Sequence, residues 1–301
     1  MKVEYGIPTD KEALPLALGI ERGFFRDEGL DLALRVVFGG PEIAAAYDSG
    51  ALPIGELGSP PTLTALARGA RFKIVASGIR RRALQYFVAS PRIDGWAALR
   101  GKRVGALSRG SCSYWFGRLV LAANGLDPDR DVELLGLNER YPAVVDLFES
   151  GELAAAVLSE PNVSIGEDRG AFTAWQALTD PQFCPAMQWT VVVAGERTRT
   201  AEPEMICAVL RASRRSYHWC NGHPDEWAAF IARRLGIPAA TAERSIRRER
   251  PDLHYDCRPD LAGLELAIEL QRRLGAFGER LATADITDLS FLPEEVPCAT
   301  S

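Results

Sequence analysis

Residues 108–112 read Ser-Arg-Gly-Ser-Cys, between an apolar run ending at Leu107 and an apolar-periodic stretch continuing to about Asn124. That is the signature of a strand turning into a helix. The first helical turn there presents amide N–H groups and the positive end of the helix dipole, which favour an anion. The hydroxyls of Ser108 and Ser111, the backbone at Gly110 and a guanidinium clamp from Arg109 add donors, so the turn suits a carboxylate, sulfonate or phosphate. It is no nucleotide loop, because G-x-x-x-x-G-K-(S/T) is absent. Cys112 beside Arg109 at the helix start is a candidate nucleophile. Its plainer reading is a small packed residue, since no histidine is recognisably paired with it.

Two other charged groups could act. Glu56 ends the otherwise apolar run LPIGE, and burial could keep such a carboxylate protonated for acid–base work or leave it to pair with an arginine. Arg80-Arg81-Arg82 separates two apolar runs, where three charges in succession cannot all be buried. Arg81 or Arg82 facing a ligand and a plain solvated turn are both open readings. Metal chemistry has little support: the six cysteines form no C-x-x-C pair, and His218, His223 and His254 make no ligand spacing with them. No metal and no organic cofactor are expected.

The elements that must position these groups alternate. Val3–Ile7 reads as a strand, a helix capped at Pro8-Thr9-Asp10 extends to Glu28, and Asp31–Phe38 is a second strand. Short helices at 41–50 and 59–69 flank a strand ending at Glu56, and strands follow at 72–79 and 84–90. A second series runs through strand 102–107, a helix to Asn124, strand 132–137, helix 142–150, strand 153–159, a helix after Glu160-Pro161 and strand 188–194. From Glu202 onward the pattern is helical, broken at Gly222, Pro238 and Pro259. Alternation of this kind predicts an α/β chain with largely parallel sheets and helices on both faces.

Residues 16–32, LALGIERGFFRDEGLDL, resemble a stretch of the type II periplasmic-binding-protein superfamily, above all its nitrate, taurine and aliphatic-sulfonate-binding branch. PTLTALARGARFKIVASG (61–78), LRGKRVGALSRGSCSYW (99–115) and VVDLFESGELAAAVLSEPNV (144–163) continue the resemblance, which covers about two-thirds of the chain. It implies two α/β lobes, residues 1–92 with 193–301 and residues 93–192, joined by two crossing segments with a ligand in the cleft. Ligands in open α/β sheets sit beyond the carboxyl ends of the strands. The candidate site therefore comprises Thr9, Gly58 and Ser59, Arg81 and Arg82, Ser108 to Cys112, and Glu160, with Trp189 near the cleft edge. Gly39-Gly40 and Ser159 lie in further turns of the same kind.

A second, partial resemblance is to cytosolic 4,5-dihydroxyphthalate decarboxylases. It rests on ELGSPPTLTALARG and on IRRRALQYFVASPRIDGWAALRGKRVG, with Ala83 where that family carries a histidine. The segment TADITDLSFLPEEV (283–296) is similar to the terminal segment of those enzymes and of an aryl-sulfinate desulfinase, whose cysteine position is held here by Pro8-Thr9.

Composition bounds these readings. The 301 residues, 47% hydrophobic and 25% charged, suit two globular domains. A net charge of −5 gives nucleic acid no electrostatic foothold, and no apolar run of about 18 residues could cross a bilayer. The start MKVEYGIPTDKEALP lacks the apolar core of a secretory signal, which leads to an expectation of cytoplasmic location. The preferred expectation is a cytosolic lyase, decarboxylase-like, acting on a small organic anion held by residues 108–111 and Arg81 or Arg82, with Glu56 as proton donor. The alternative is a non-catalytic ABC-transporter substrate-binding protein for a nitrate-, sulfonate- or pyrimidine-like ligand. A homodimer is compatible with either.

Overall fold

The first run alternates outward and inward before turning fully inward, and it forms β1 (Lys2–Ile7). The helix expected up to Glu28 is two: α1 (Asp10–Glu21) and α2 (Phe24–Asp27), because Gly23 adopts φ +82°, a left-handed conformation that suits glycine and stops the first helix. Then follow β2 (Asp31–Val36), α3 (Gly40–Ser49), β3 (Ile54–Gly58), α4 (Ser59–Ala67) and β4 (Phe72–Ser77). Prolines in the first turns of α3 and α4 fit positions where a helix needs no N–H. The second series is β5 (Gln85–Ala89), β6 (Arg103–Ala106), α5 (Cys112–Ala123), β7 (Glu133–Gly136), α6 (Val144–Glu149), β8 (Ala155–Ser159), α7 (Asn162–Asp168) and β9 (Thr173–Ala177). The chain closes with β10 (Thr190–Gly195), α8 (Glu196–Ala201), α9 (Pro203–Gly222), α10 (Pro224–Leu235), α11 (Ala239–Glu249), α12 (Leu261–Arg273) and α13 (Thr283–Ile286). This is a computed structural model, and it describes residues 1–78, 85–178, 180, 187–250, 253, 256–278 and 281–293.

The strands form two five-stranded sheets, β2-β1-β3-β10-β4 and β7-β6-β8-β5-β9. In the first, β1 pairs in parallel with β2 and β3, while β10 is antiparallel to β3 and β4. The second repeats the plan: β6 is parallel to β7 and β8, and β5 is antiparallel to β8 and β9. The expected largely parallel sheets are thus mixed, each holding one reversed strand. Strand β5, expected in the first lobe, lies in the second sheet, and Thr190–Val192 of β10, expected in the second lobe, lie in the first. The chain therefore passes from the first sheet to the second between β4 and β5 and returns between β9 and β10.

The core has corresponding layers. Tyr5, Ile54, Val75 and Val192 pack with Val209 and Tyr217 of α9 on one face of the first sheet. On its other face Leu57, Val191 and Val193 meet Tyr47 of α3 and Leu264 of α12, and this cluster continues into the second sheet through Phe87, Val104 and Val157. Phe116 of α5 joins the two, its ring 4.9 Å from that of Trp189. A separate cluster fixes α10 and α11 to α1, through Leu14, Ala17 and Leu18 against Trp227, Ile231 and Ile246. Among the described residues no helix is long and apolar enough to cross a membrane.

Phe116 has no exposed surface. Its replacement by alanine would leave a cavity at the junction of the two sheets, so Phe116→Ala should lower stability by about 3–5 kcal/mol. A denaturant midpoint equal to that of the wild type would contradict a shared core.

Candidate functional site

Parallel strands deliver the chain to one edge of each sheet, and the helices that follow start there. In this molecule those edges face each other across the seam between the sheets. One hollow of about 40 Å³ is walled by Thr9 before α1, Gly40 of α3, Gly58 and Pro61 at the start of α4, Ser111, Cys112 and Ser113 around the start of α5, Ser159 at the end of β8, and Trp189. It has room for a few water-sized groups only. Thr9, Tyr141 and Ser159 also wall an adjoining chamber of about 200 Å³, whose other sides include Leu14, Phe38, Ile165 and Leu235. A small polar cradle thus adjoins a larger apolar space.

The cradle is held by its own hydroxyls. Ser111 Oγ donates to the carbonyl of Ser108 at 2.7 Å and accepts from the amides of Ser108 and Tyr114, each at 3.3 Å. Ser113 Oγ lies 3.0 Å from Ser111 Oγ and accepts from the Leu107 amide at 2.8 Å. Cys112 and Ser113 occupy the first helical positions, where α5 itself offers their amides no acceptor. The seam is tight: a Cβ on Gly58 would fall 2.2 Å from Cys112 Sγ, and one on Gly40 would fall 2.6 Å from Pro61 Cβ.

Of the residues singled out in the sequence, Thr9, Gly58, Ser111, Cys112 and Trp189 line this hollow together. Others do not. Ser108 is buried, and its hydroxyl accepts from the Gly40 amide at 3.3 Å, tying the second lobe to the first. Arg109 and Gly110 face another hollow of about 590 Å³, outside the cradle, with Pro41, Arg68 and Trp115. Gly110 at φ +84° turns the chain outward, and the Arg109 Nε donates to Tyr114 Oη at 3.4 Å, a bond that raises the guanidinium pKa. Ser59 is fully buried, its amide donating to the Trp189 carbonyl at 2.8 Å and its hydroxyl to that of Gln188. It fastens α4 to the crossing segment rather than lining the hollow. Arg81 and Arg82 lie outside the described residues.

The two acids are also displaced from the cradle. Glu56 has no exposed surface and is not among the residues walling either hollow of the seam. Its Oε2 accepts from Tyr217 Oη of α9 at 3.4 Å, so the side chain points into the core of the first lobe. Burial, reinforced by the Glu56 charge, pushes the Tyr5 and Tyr47 phenols well above their ordinary range. Glu160 is likewise fully buried: Oε2 accepts from the Ser164 amide at 3.0 Å and Oε1 from Arg248 Nη1 at 2.9 Å. It is an ion-pair partner, not a ligand contact.

Tyr141, Gln85, Phe38 and Leu235 line the seam without having been singled out in the sequence. Tyr141 carried a usable signal, an aromatic beside Pro142 at the turn after a strand; Leu235 carried none, because it lies 226 residues after Thr9 at the end of α10. Among the described residues no group of three or more His, Cys, Asp or Glu is placed to hold a metal ion.

The profile of the NMT1/THI5-like family matches residues 11–227. The YtlA protein of Bacillus subtilis (strain 168), which bears the name of a binding protein, is 26% identical over 159 residues. That stretch is 52% of this chain and 47% of the relative, so the chain matches about half the relative's length. The alkanesulfonate-binding protein SsuA from Xanthomonas axonopodis pv. citri, bound to MOPS, superposes with a TM-score of 0.78 at 18% identity, over 96% of this chain and 98% of that one. The periplasmic nitrate-binding protein NrtA from Synechocystis PCC 6803 superposes at 0.74 with 15% identity, over 95% and 85%. The fold is therefore that of the type II periplasmic binding proteins, as the resemblance at residues 16–32 implied.

Gly58 has φ −69°, open to any residue, so a side chain there is opposed only by Cys112. Gly58→Ala should destabilise the protein by roughly 1–3 kcal/mol through overpacking, and Gly58→Ala with Cys112→Ala should recover most of it. Thermal unfolding of the two variants reads this; equal melting temperatures would mean the lobes do not meet there.

Proposed function

The chain belongs to the NMT1/THI5-like family, and from that premise we propose that it is a substrate-binding protein of the ABC-importer type, closing two lobes over a small organic anion. The observation that carries this reading is the convergence of the starts of α1, α3, α4 and α5 and the approach to α7 on one pair of adjoining hollows. Helix starts supply amide donors and a positive field there.

The division of the space supports a ligand with a compact oxyanion head and an apolar remainder. The head, a sulfonate, carboxylate or nitrate-like group, takes the polar cradle at Ser111, Cys112 and Ser113. The remainder takes the chamber beside it, where each buried methylene contributes about 0.8 kcal/mol. The names of the superposing proteins, alkanesulfonate-binding and nitrate-binding, are consistent with such a head. Binding followed by lobe closure completes the work of such a protein, and no bond need be broken.

The lyase reading loses its proton donor. Glu56, to which it gave that part, is held against α9 inside the first lobe. A buried carboxylate bonded to Tyr217 belongs to that core and is out of position for a molecule in the cradle.

Thermal unfolding with MOPS, nitrate, hexanesulfonate and benzoate at millimolar concentration tests the reading. A ligand at a hundred times its Kd should add about 2.7 kcal/mol and raise the melting temperature by several degrees. Ser111→Ala, which loosens the cradle, should reduce that rise. No shift with any of the four, or appearance of a product over hours, would overturn the proposal.

A further inference from the structure

Helices α10 and α11 belong to the first lobe by their packing. Their apolar sides sit on α1, and Trp227, Phe230, Ile231 and Ile246 are buried there. The opposite side of α11 reaches across the seam to α7 of the second lobe, and the character of the contact changes. Thr241, Arg244 and Arg248, spaced at three and four residues, share one face of α11. Thr241 Oγ1 donates to Asp168, Arg244 Nη2 donates to the Ser164 carbonyl at 2.8 Å and pairs with Asp168, and Arg248 Nη2 pairs with Glu167 at 2.8 Å. Arg248 Nη1 binds the fully buried Glu160, and its guanidinium lies 5.7 Å from the centre of the Tyr86 ring. The Thr241 hydroxyl and the Arg244 guanidinium hold the Asp168 carboxyl below its usual range.

We propose that α10 and α11 form an interlobe clasp, with Arg248 and Arg244 closing on Glu160 and α7, that biases the lobes toward the shut state. This rests on the binding-protein reading for the purpose of closure, though not for the contact itself. Three observations carry it. One side of the helix pair is apolar and fixed to α1, while the other is charged and directional. Charged groups can separate and rehydrate, whereas an apolar face resists exposure, so opening parts α11 from α7 and leaves α10–α11 on α1. Glu160 is fully buried with Arg248 paired to its carboxylate, and removing Arg248 leaves that charge desolvated and short of a partner. Finally, Leu235, the last residue of α10, forms part of the apolar chamber's wall together with Ile165 of α7. The clasp therefore brings one side of the ligand space with it.

Small-angle X-ray scattering of the ligand-free full chain tests this without knowledge of the ligand. Arg244→Ala with Arg248→Ala should raise the ratio of open to closed molecules by roughly tenfold or more, seen as a larger radius of gyration. In the wild type, roughly half-molar sodium chloride should act in the same direction, because screening falls on the partly exposed pairs. Arg233→Ala, which breaks a pair with Glu21 inside the first lobe, should change nothing. If the double variant fails to unfold cooperatively, Arg244→Ala alone serves, since its partner Asp168 is 40% exposed. Dimensions unchanged by both salt and the arginine substitutions would overturn the clasp. A clasp that opens as described in a protein that binds none of the four test anions would count against the binding reading alone.

Discussion

The amides of a helix's first turn have no acceptor within the helix, and five such turns meet at or beside this seam. Most of them are dealt with locally. Pro41, Pro60 and Pro61 at the starts of α3 and α4 carry no N–H at all. The Gly40 amide is taken by Ser108 Oγ, and the Ser164 amide in α7 by the Glu160 carboxylate. At α5 the Ser111 hydroxyl takes the Tyr114 amide, while Cys112 and Ser113 remain at the two positions facing the hollow. The positive end of α5 is thereby left toward the hollow, with the start of α1 beside it at Thr9.

The same economy governs the two sheets. Each accepts, as its fourth strand, the segment that has just crossed from the other lobe, and each accepts it reversed. A reversed strand begins on the seam side, so β5 and β10 start beside the helix starts rather than at the far edge of the sheet. Trp189, one residue before β10, thus stands on the hollow and against Phe116 of α5 at once. Core and hollow share that residue, so any proposed movement of the lobes would be coupled through it to the shape of the cradle.

What the sequence made legible follows from which forces are local. The strand–turn–helix order, the turns at Thr9, Gly58 and Ser111, and the family stretch at 16–32 all depend on neighbours in the chain. The failures concern direction. Strand β3 is buried along its whole length, so alternation could not tell which face Glu56 occupies. Arg109 lies one residue before a glycine with positive φ, and the sequence around it is as compatible with an inward as with an outward side chain. Glu160 looked like a ligand contact because its partner, Arg248, is 88 residues away. Strand β5 went to the wrong lobe for a related reason: an apolar run of five residues fits either sheet, and only pairing with β8 decides.

Distance in the chain also explains why the ligand space divides as it does. The cradle is built from the turns that every βα unit of this plan provides, and its small volume suits a head group that many anions share. The chamber is built from parts the plan leaves free: Phe38 after β2, Tyr141 in the turn before α6, Ile165 on α7 and Leu235 at the end of α10. These side chains differ in size and come from elements that packing, not strand order, brings together. On the proposed binding reading, discrimination among anions falls to the chamber, where one methylene more or less changes the fit, while the cradle supplies the affinity for charge. Because Leu235 and Ile165 stand on the two sides of the clasp, a ligand whose body holds them apart would also hold Arg248 from Glu160. Under the proposed clasp, closure would read the shape of the guest, with the ion pairs of α11 forming fully only around one that fits.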